Sequence, residues 1–495
     1  MIYLSKTDFK EYLICSKCLW LKKKRPDDYV AGEFSAFQKK LIKDGYEVEE
    51  YFKDFSPEGV LVSENGEDAL RRTKELIDEK KTIFQATLLT RENIFVKIDV
   101  LKFNDESESW DLYEVKSGSS IKTDLKHNHI KDIAFQKIAL DKSGIKVGKS
   151  FLVHLNKKYV RNGDLDLEKL FVINDVSDDV RDIQKETENE IGIALSLLKE
   201  DDMDVRGCGC IYKSSGQRCD CFNFFNPEVP DYSTGNIFLG NKLKELVNDD
   251  IFDPKDVDDD FNMTNNQKEK VDLQKSGVSK IDIQAIKSKL DNLEYPIYFF
   301  DYETFGKPVP FLDGYKVSQQ LVFQYSLHVL QENGEIEHFE YLADNLENAT
   351  SELVSSLKNS IGSVGSIIVW YESFEKGRNK ELAELHSESR EFLEDMNSRI
   401  FDLMKIFKKD YLHPDFKGSA SIKKVLPVIV PELSYSDMEI QDGTMAIEAW
   451  GKTIFDTVSE EEREKIRKNL LKYCELDTFA MVSIFDFLKD LIERE

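Results

Sequence analysis

The sequence predicts an α/β protein made of two blocks, each of which mixes strands with amphipathic helices. Three observations support this prediction. Short runs such as "NIFVKIDVLKF" alternate apolar and polar residues, which is typical of strands. Other segments, among them "EDALRRTKELIDEKK", place apolar residues at helical spacing. A polar, acidic stretch at 226–292 separates the two blocks, and we expect it to act as a linker.

The composition is typical of a folded cytoplasmic protein. Hydrophobic residues make up 41% of the 495 residues and aromatic residues 11%, more than a disordered chain carries. The first residues show no signal-peptide pattern, and no apolar stretch is long enough to span a membrane. We therefore expect cytoplasmic localisation and no membrane partner. The net charge of −26 gives no support for nucleic-acid binding, but a basic groove can lie on an acidic protein.

The first block, residues 1–225, begins with predicted helices and continues with predicted strands. The strand patterns are "TIFQATLLT", "NIFVKIDVLKF", "WDLYEVKSG" and "GKSFLVHL", and a helical pattern that contains "IAFQKIAL" lies between the last two. Asp99 lies on the second of these strands and Glu114 and Lys116 on the third. Because side chains two residues apart on a strand point to the same face, Glu114 and Lys116 project together.

These three residues are candidates for a metal site. A pair of carboxylates can hold Mg²⁺ or Mn²⁺, which prefer oxygen ligands, and a neighbouring lysine can orient or activate a water molecule. The spacing alone also allows an ordinary salt bridge on an edge strand. The motif by itself therefore leaves both interpretations open.

The order of elements resembles the core of the RecB-like PD-(D/E)XK nucleases. A helix is followed by a strand with Asp99, a strand with Glu114 and Lys116, and a helix with Gln136. The resemblance implies that Asp99 and Glu114 hold the metal, that Lys116 assists the attacking water and that Gln136 supports the site. The first helix in this family often carries a His or Glu, for which Glu47 and Glu49 in "GYEVEEYF" are candidates.

Six cysteines flank this core, two before it and four after it. They are Cys15, Cys18, Cys208, Cys210, Cys219 and Cys221. Clustered cysteines in a reducing compartment are typical of metal ligands, and the last four alone could form a Zn²⁺ site. The layout resembles that of RecB-like nucleases with a [4Fe–4S] cluster, in which one cysteine precedes the core and three follow it. That resemblance implies Cys15, Cys208, Cys210 and Cys219 as ligands, although the spacing of the last three differs from the family's.

The second block, residues 293–495, begins with the strand pattern "YPIYFFDYETF". Its Asp301 and Glu303 are two residues apart and therefore share one face of the strand. Near the C-terminus, "NLLKYCELDTFAMVSIFDFL" predicts a helix in which Tyr473 and Asp477 are four residues apart and lie on one face. An isolated Asp-x-Glu pair is mostly structural, so the distant helix carries the functional interpretation.

This combination resembles the DEDDy 3′–5′ exonucleases of the RNase H-like fold. The resemblance implies that carboxylates, including Asp301, Glu303 and Asp477, hold two metal ions, and that Tyr473 orients the attacking water. The family usually has an Asp after the third strand, where this sequence has Glu375. Asp402 is the alternative for this middle position.

The second block contains three further polar residues in recognisable patterns, Lys423, His328 and Cys474. Lys423 is a candidate for a phosphate contact, and a solvated helix face explains it equally well. We expect His328 and Cys474 to be structural. Taken together, both blocks resemble a bacterial family of uncharacterised proteins that joins a RecB-like nuclease to a DEDD-type domain.

These resemblances imply a metal-dependent nuclease that hydrolyses phosphodiester bonds, with DNA favoured over RNA as the partner. Repair, recombination or defence would be the biological setting, by family analogy alone. Two alternatives remain open: an RNA-directed 3′–5′ exonuclease, and a catalytically weak nucleic-acid-binding or interaction protein with one decayed site. The sequence does not identify protein partners.

Overall fold

The protein is described from a computed structural model, which covers residues 2–29, 35–124 and 127–494. The chain divides into two compact units. The first comprises Met1–Asp253 and Lys307–Gln319, and the second Pro254–Gly306 and Gln320–Glu495. Both units combine helices with a mixed sheet, so the predicted mixed α/β class is confirmed.

The first unit carries the following elements. Its strands are β1 (Leu4–Ser5), β2 (Val60–Leu61), β3 (Ile83–Leu89), β4 (Ile94–Asn104), β5 (Ser109–Lys116), β6 (Val147–Leu155) and β7 (Phe171–Asp175). Its helices are α1 (Lys6–Ile14), α2 (Ser16–Lys24), α3 (Ala36–Lys53), α4 (Gly66–Asp78), α5 (His129–Lys142), α6 (Leu167–Leu170), α7 (Ser177–Leu197), α8 (Phe222–Phe225) and α9 (Gly240–Asn248).

The sheet of the first unit has the strand order β2-β3-β4-β5-β6-β7, and β1 pairs with β4. Strands β3, β4 and β5 are antiparallel neighbours, whereas β5 and β6 are parallel and joined through α5. Apolar residues of α5 and α7 pack with one set of strand side chains, and Val48 and Phe52 of α3 pack with another set. Because successive side chains of β4 and β5 point to opposite faces of the sheet, these strands contribute to a core on each face.

The second unit carries the remaining elements. Its strands are β8 (Lys280–Ile281), β9 (Ile297–Gly306), β10 (Gln320–Leu330), β11 (Ile336–Leu342), β12 (Ile367–Val369), β13 (Ile400–Asp402) and β14 (Tyr411–Leu412). Its helices are α10 (Asn265–Ser276), α11 (Ile283–Leu290), α12 (Ala349–Ser360), α13 (Glu372–Leu385), α14 (Arg390–Ser398), α15 (Met404–Lys409), α16 (Ile422–Ile429), α17 (Gly443–Phe455) and α18 (Glu460–Glu493).

The main sheet of the second unit has the order β11-β10-β9-β12-β13. Strands β9, β10 and β11 form an antiparallel meander, and β12 and β13 continue the sheet in parallel. Helix α18 packs on this sheet, where Phe485 contacts Phe299 of β9 edge to face. Side chains of α12, α13 and α14 form a separate core with Tyr298 and Phe300.

The acidic region 226–292, which we expected to link the blocks, contains folded elements. Helix α9 belongs to the first unit, whereas α10, α11 and β8 belong to the second, which begins at Pro254. Few apolar residues anchor these helices, among them the buried Leu243, Leu246 and Ile286. The surrounding acidic residues mask this sparse amphipathic pattern in the sequence.

Within the described part of the chain, no helix is both long enough and apolar enough to cross a membrane.

Candidate functional site

The four residues predicted in the first unit meet between β4, β5 and α5. Lys116 Nζ donates to Glu114 Oε1 at 2.6 Å, and Gln136 Nε2 donates to Glu114 Oε2 at 2.6 Å. Asp99 Oδ2 accepts from the backbone N–H of Val115 at 2.8 Å. Glu114 and Gln136 are buried. We refer to Asp99, Glu114, Lys116 and Gln136 as the first site.

Three charged residues that the sequence analysis did not identify surround the first site. Lys6 Nζ lies 2.6 Å from Glu114 Oε1. Asp132 Oδ2 accepts from Lys116 at 3.0 Å and lies 3.6 Å from Lys10 Nζ. The sequence indicates that Lys6 and Lys10 act together, because they are four residues apart on α1 and residues at that spacing share a helix face. Which face meets the strands depends on tertiary packing.

Of the two candidate glutamates on α3, Glu49 is close enough to the first site for the charges of Asp99 and Glu114 to act on it, whereas Glu47 pairs with Lys307. Burial, together with the charges of Asp99 and Glu114, raises the pKa of Glu49 to about 8. Glu49 Oε2 accepts from Gln85 Nε2 at 2.6 Å. Gln85 has a φ of 57° within β3, a left-handed conformation that β-strands rarely contain and that often marks functional positions.

The carboxylates of the first site differ in their electrostatic environment. Burial and then the charge of Glu114 raise the pKa of Asp99 to about 6. Burial also acts on Glu114, but Lys116 and Lys6 outweigh it and hold its pKa below the usual range. Glu114 is therefore ionised at neutral pH, and a bound cation would favour ionisation of Asp99 as well.

The four cysteines predicted as cluster ligands come together in the first unit. The Sγ atoms of Cys15, Cys208, Cys210 and Cys219 all lie within 4.8 Å of one another, and all four residues are buried. Cys15 precedes α2, whereas the other three lie in the loop after α7. We refer to these four residues as the cysteine site. Its four sulfur donors fit both a [4Fe–4S] cluster and Zn²⁺.

Hydrogen-bond donors and apolar side chains surround the cysteine site. Asn226 Nδ2 donates to Cys208 Sγ at 3.4 Å, a contact that stabilises a thiolate. The buried Phe222 and Phe225 pack in the same cluster. Cys18 and Cys221 are buried there too but do not belong to the group of four, and Cys18 donates to Glu11 at 3.2 Å.

Three carboxylates predicted in the second unit also converge. Oxygens of Asp301, Glu303 and Asp477 lie within 4.8 Å of one another. Asp301 and Glu303 lie on β9, and Asp477 lies on α18. We refer to these three residues as the second site. Cys474, which we expected to be a structural thiol, is buried with its Sγ 3.9 Å from Asp301 Oδ2.

Tyr435 contacts the second site and was not predicted from the sequence. Its hydroxyl donates to Asp477 Oδ1 at 2.7 Å, and its ring lies 6.1 Å from that of Tyr473. Lys423 Nζ lies 5.8 Å from the centre of the Tyr435 ring. Burial raises the pKa of Asp477 to about 6, although Tyr435, Lys423 and Tyr473 oppose the shift. No spacing rule in the sequence relates Tyr435 to α18.

Glu375 lies beside the second site but outside its group of three carboxylates. It is buried on α13, and burial together with the charge of Asp402 raises its pKa to about 8. Asp402, the alternative residue, is buried on β13. The charge of Glu375 also acts on Asp301, so it belongs to the same electrostatic environment.

Burial and mutual repulsion both act on the carboxylates of the second site. Burial and then the charge of Asp477 raise the pKa values of Asp301 and Glu303 well above their usual range. Lys423 acts in the opposite direction on Glu303. Ionisation of all three carboxylates at this distance is unfavourable unless a cation joins them. The arrangement can therefore hold Mg²⁺ or Mn²⁺, which prefer carboxylate oxygens.

The comparisons with known proteins match parts of this chain. A family model described as "Domain of unknown function (DUF2779)" matches residues 298–421, a range that contains Asp301, Glu303 and Glu375. The chain is 30% identical over 229 residues to "Uncharacterized protein MG366" of Mycoplasma genitalium, which covers 42% of this chain and 34% of the relative.

Two further relatives are similar to the chain. They are the "Uncharacterized protein MG366 homolog" of Mycoplasma pneumoniae, 29% identical over 229 residues (42% of this chain and 34% of the relative), and "Uncharacterized protein UU173" of Ureaplasma parvum, 26% identical over 278 residues (52% and 39%). The chain therefore spans a little over a third of the length of the curated relatives it matches.

Proposed function

We propose that the protein is a metal-dependent nuclease that hydrolyses phosphodiester bonds of nucleic acid, with DNA as the favoured substrate. The convergence of Asp301, Glu303 and Asp477 is the observation that carries this proposal. Oxygen ligands of this kind suit Mg²⁺ or Mn²⁺. Paired metal ions at such sites stabilise the attacking and leaving oxygens of a phosphodiester in the transition state.

The topology of the second unit supports an RNase H-like assignment. Three antiparallel strands precede two parallel ones, and the carboxylate pair lies on the first, central strand. Helix α18 returns Asp477 to that strand. In this proposal Tyr473 and Tyr435 orient Asp477 and the attacking water, and Lys423 adds a positive charge for the phosphate.

The contacts of the first site support a PD-(D/E)XK assignment for the first unit. Asp99 and Glu114 would hold a divalent metal, and Gln136 fixes the orientation of Glu114. Lys116 would orient the attacking water in this proposal. The ammonium groups of Lys6 and Lys10 lie on the same side as Lys116, where a phosphate needs cations.

We also propose that the cysteine site holds a [4Fe–4S] cluster, with Zn²⁺ as the alternative. Cys15, Cys208, Cys210 and Cys219 would be the ligands. When bound, the group crosslinks the start of α2 to the loop after α7 and so adds folding free energy. Asn226 would donate a hydrogen bond to the sulfur of Cys208.

Cleavage assays with separate variants of the two sites test the nuclease proposal. Labelled single- and double-stranded DNA and RNA are incubated with Mg²⁺ or Mn²⁺ and the full chain. We expect Asp301→Asn to lower the cleavage rate of the second site, and Lys116→Met that of the first site, by about 100-fold or more. The double variant should show no cleavage. The matched controls are Lys102→Met, at an exposed lysine on β4, and Asp395→Asn on α14.

Two results would overturn the proposal. One is a wild-type protein that cleaves no substrate with either metal, and the other is a double variant that cleaves as well as wild type. Cleavage of RNA alone would instead select the RNA-directed exonuclease.

A further inference from the structure

A further group of possible metal ligands lies where α18 covers β10 and β11. Nitrogens of His328 and His338 and a carboxylate oxygen of Glu475 lie within 4.8 Å of one another. His328 and His338 are direct cross-strand partners on β10 and β11, and their rings stack with centres 4.4 Å apart. His328, which we expected to be structural, is buried, whereas the Glu475 side chain is 50% exposed.

One nitrogen of each imidazole ring is hydrogen-bonded to a hydroxyl group. Thr478 Oγ1 lies 2.9 Å from His328 Nδ1, and Ser326 Oγ lies 2.9 Å from His338 Nε2. The two hydroxyl oxygens are 2.7 Å apart. Thr478 Oγ1 also donates to the backbone carbonyl of Glu475 at 3.1 Å.

One arrangement of the hydrogens satisfies all of these contacts at once. In it, Thr478 donates its one hydrogen to the carbonyl and accepts from Ser326 and from His328 Nδ1–H. Ser326, having donated to Thr478, accepts from His338 Nε2–H. The free lone pairs therefore lie on His328 Nε2 and on His338 Nδ1, which is 4.0 Å from Glu475 Oε1.

We propose that His328 Nε2, His338 Nδ1 and a Glu475 oxygen bind a Zn²⁺ ion in the second unit. Two imidazoles and one carboxylate are a ligand set that zinc uses, with a fourth position for water. Metal-binding histidines characteristically donate the N–H of their second ring nitrogen to a neighbouring group. Here the hydroxyls of Ser326 and Thr478 would accept these hydrogen bonds. Imidazole ligands also distinguish this site from the oxygen-only second site, which suits Mg²⁺ or Mn²⁺.

The position of this zinc site suggests a positioning role. Glu475 lies on α18 between Tyr473 and Asp477, while the histidines lie on the two strands beneath the helix. A metal that joins them would fix the rotation and height of α18 against the sheet. It would thereby hold Asp477 in place opposite β9 without taking part in the chemistry.

Zinc binding to the full chain tests this inference. The protein, with its cysteine site loaded, is dialysed against Zn²⁺ with Mg²⁺ in excess, and zinc per chain is measured by mass spectrometry. We expect His338→Gln to bind about one equivalent less zinc than wild type, and Glu475→Gln to bind it about 10-fold more weakly. His386→Gln is the control, because His386 is also partly buried and its Nε2 contacts a threonine hydroxyl.

Replacement of zinc by Co²⁺ supplies a readout that does not depend on enzymatic activity. The wild-type spectrum should show the visible bands of Co²⁺ bound by nitrogen and oxygen, and His338→Gln should lose them while Asp301→Asn keeps them. Equal zinc content and affinity in wild type, His338→Gln and Glu475→Gln would overturn the inference. That result would leave the nuclease proposal unaffected, because none of these ligands belongs to the second site.

Discussion

The ammonium group of Lys6 lies 2.6 Å from Oε1 of Glu114. Lys116 Nζ contacts the same oxygen at the same distance, so a single buried carboxylate oxygen accepts hydrogen bonds from two ammonium groups. A divalent metal at Glu114 would compete with Lys6 for this oxygen. Displaced from Glu114, Lys6 would be available to a phosphate group.

Lys6→Met should destabilise the metal-free protein by about 1–2 kcal/mol, because Glu114 loses one of its two charged partners. Mn²⁺ should reduce this loss, since the metal supplies the missing charge. Denaturant unfolding with and without Mn²⁺ measures both effects. Lys169→Met removes an exposed ion pair of the same unit and should change stability by less, independently of Mn²⁺. A loss in Lys6→Met that Mn²⁺ does not reduce would contradict the expectation.

Tyr435→Phe should lower cleavage by the second site about 10-fold and raise the Mn²⁺ concentration needed for half-maximal activity. The substitution keeps the ring beside Tyr473 but removes the hydrogen bond that orients Asp477. Metal titrations of activity in a Lys116→Met background, in which the first site is inactive, measure the change. Tyr411→Phe, a buried tyrosine of the same unit, should behave as wild type. Unchanged metal dependence in Tyr435→Phe would exclude this role for Tyr435.

Cys15→Ser should abolish binding of the metal group at the cysteine site and destabilise the first unit, because it removes one of four ligands and the link to α2. Visible absorbance and iron content of the protein purified without oxygen measure the loss. Cys474→Ser, in the other unit, should retain both. Zinc bound at full stoichiometry in a colourless Cys15→Ser variant would support a site formed by the loop alone.

The contribution of His129 to the stability of the first unit should be lost between pH 6.5 and pH 4, whereas the raised pKa values of Glu49 and Asp99 act in the opposite direction. Burial, followed by the charge of Lys116, lowers the pKa of His129 to about 4, below its ordinary value of about 6.5. The unfolded chain therefore binds a proton at His129 in this range that the folded protein excludes, so this contribution is complete above pH 6.5 and decreases below it. The other charges that act on this ring come from Asp132, Lys10 and Glu114.

Hydrogen exchange of the α5 amides in denaturant measures this change. Between pH 7 and pH 5, the stability of wild type relative to His129→Gln should fall by about 1–2 kcal/mol. His127→Gln, at a half-exposed position, should follow wild type. An equal loss in all three proteins would show that His129 does not titrate in this way.

The residues that could be identified from the sequence lie on regular elements with a simple period. Glu114 with Lys116, and Asp301 with Glu303, are two apart on strands, and Tyr473 with Asp477 four apart on a helix. Lys6 and Tyr435 were not predicted because each is distant in sequence from its partner. Lys6 is 108 residues from Glu114, and Tyr435 is 42 residues from Asp477. The period of their own segments does not reveal which face meets the site.

The acidic region shows a second limit of the sequence. Its charges predicted a linker, but helices α9, α10 and α11 fold there on a few buried aliphatic residues. The average composition of the region is acidic and conceals these few aliphatic residues, although the packing of the helices depends on each of them. The zinc ligands of the second unit were hidden for a related reason, because His338 becomes a partner of His328 only through the hairpin register.

Helix α18 extends over 34 residues and carries Tyr473, Glu475 and Asp477 within little more than one turn. Each residue turns an α-helix by about 100°, so a deletion of one residue just before Tyr473 would rotate all three side chains out of phase with their partners on the sheet. Insertion of seven residues at the same place, about two turns, would nearly restore the phase. Over evolution, length changes in this chain should accumulate in its loops and avoid the part of α18 that faces β9, β10 and β11.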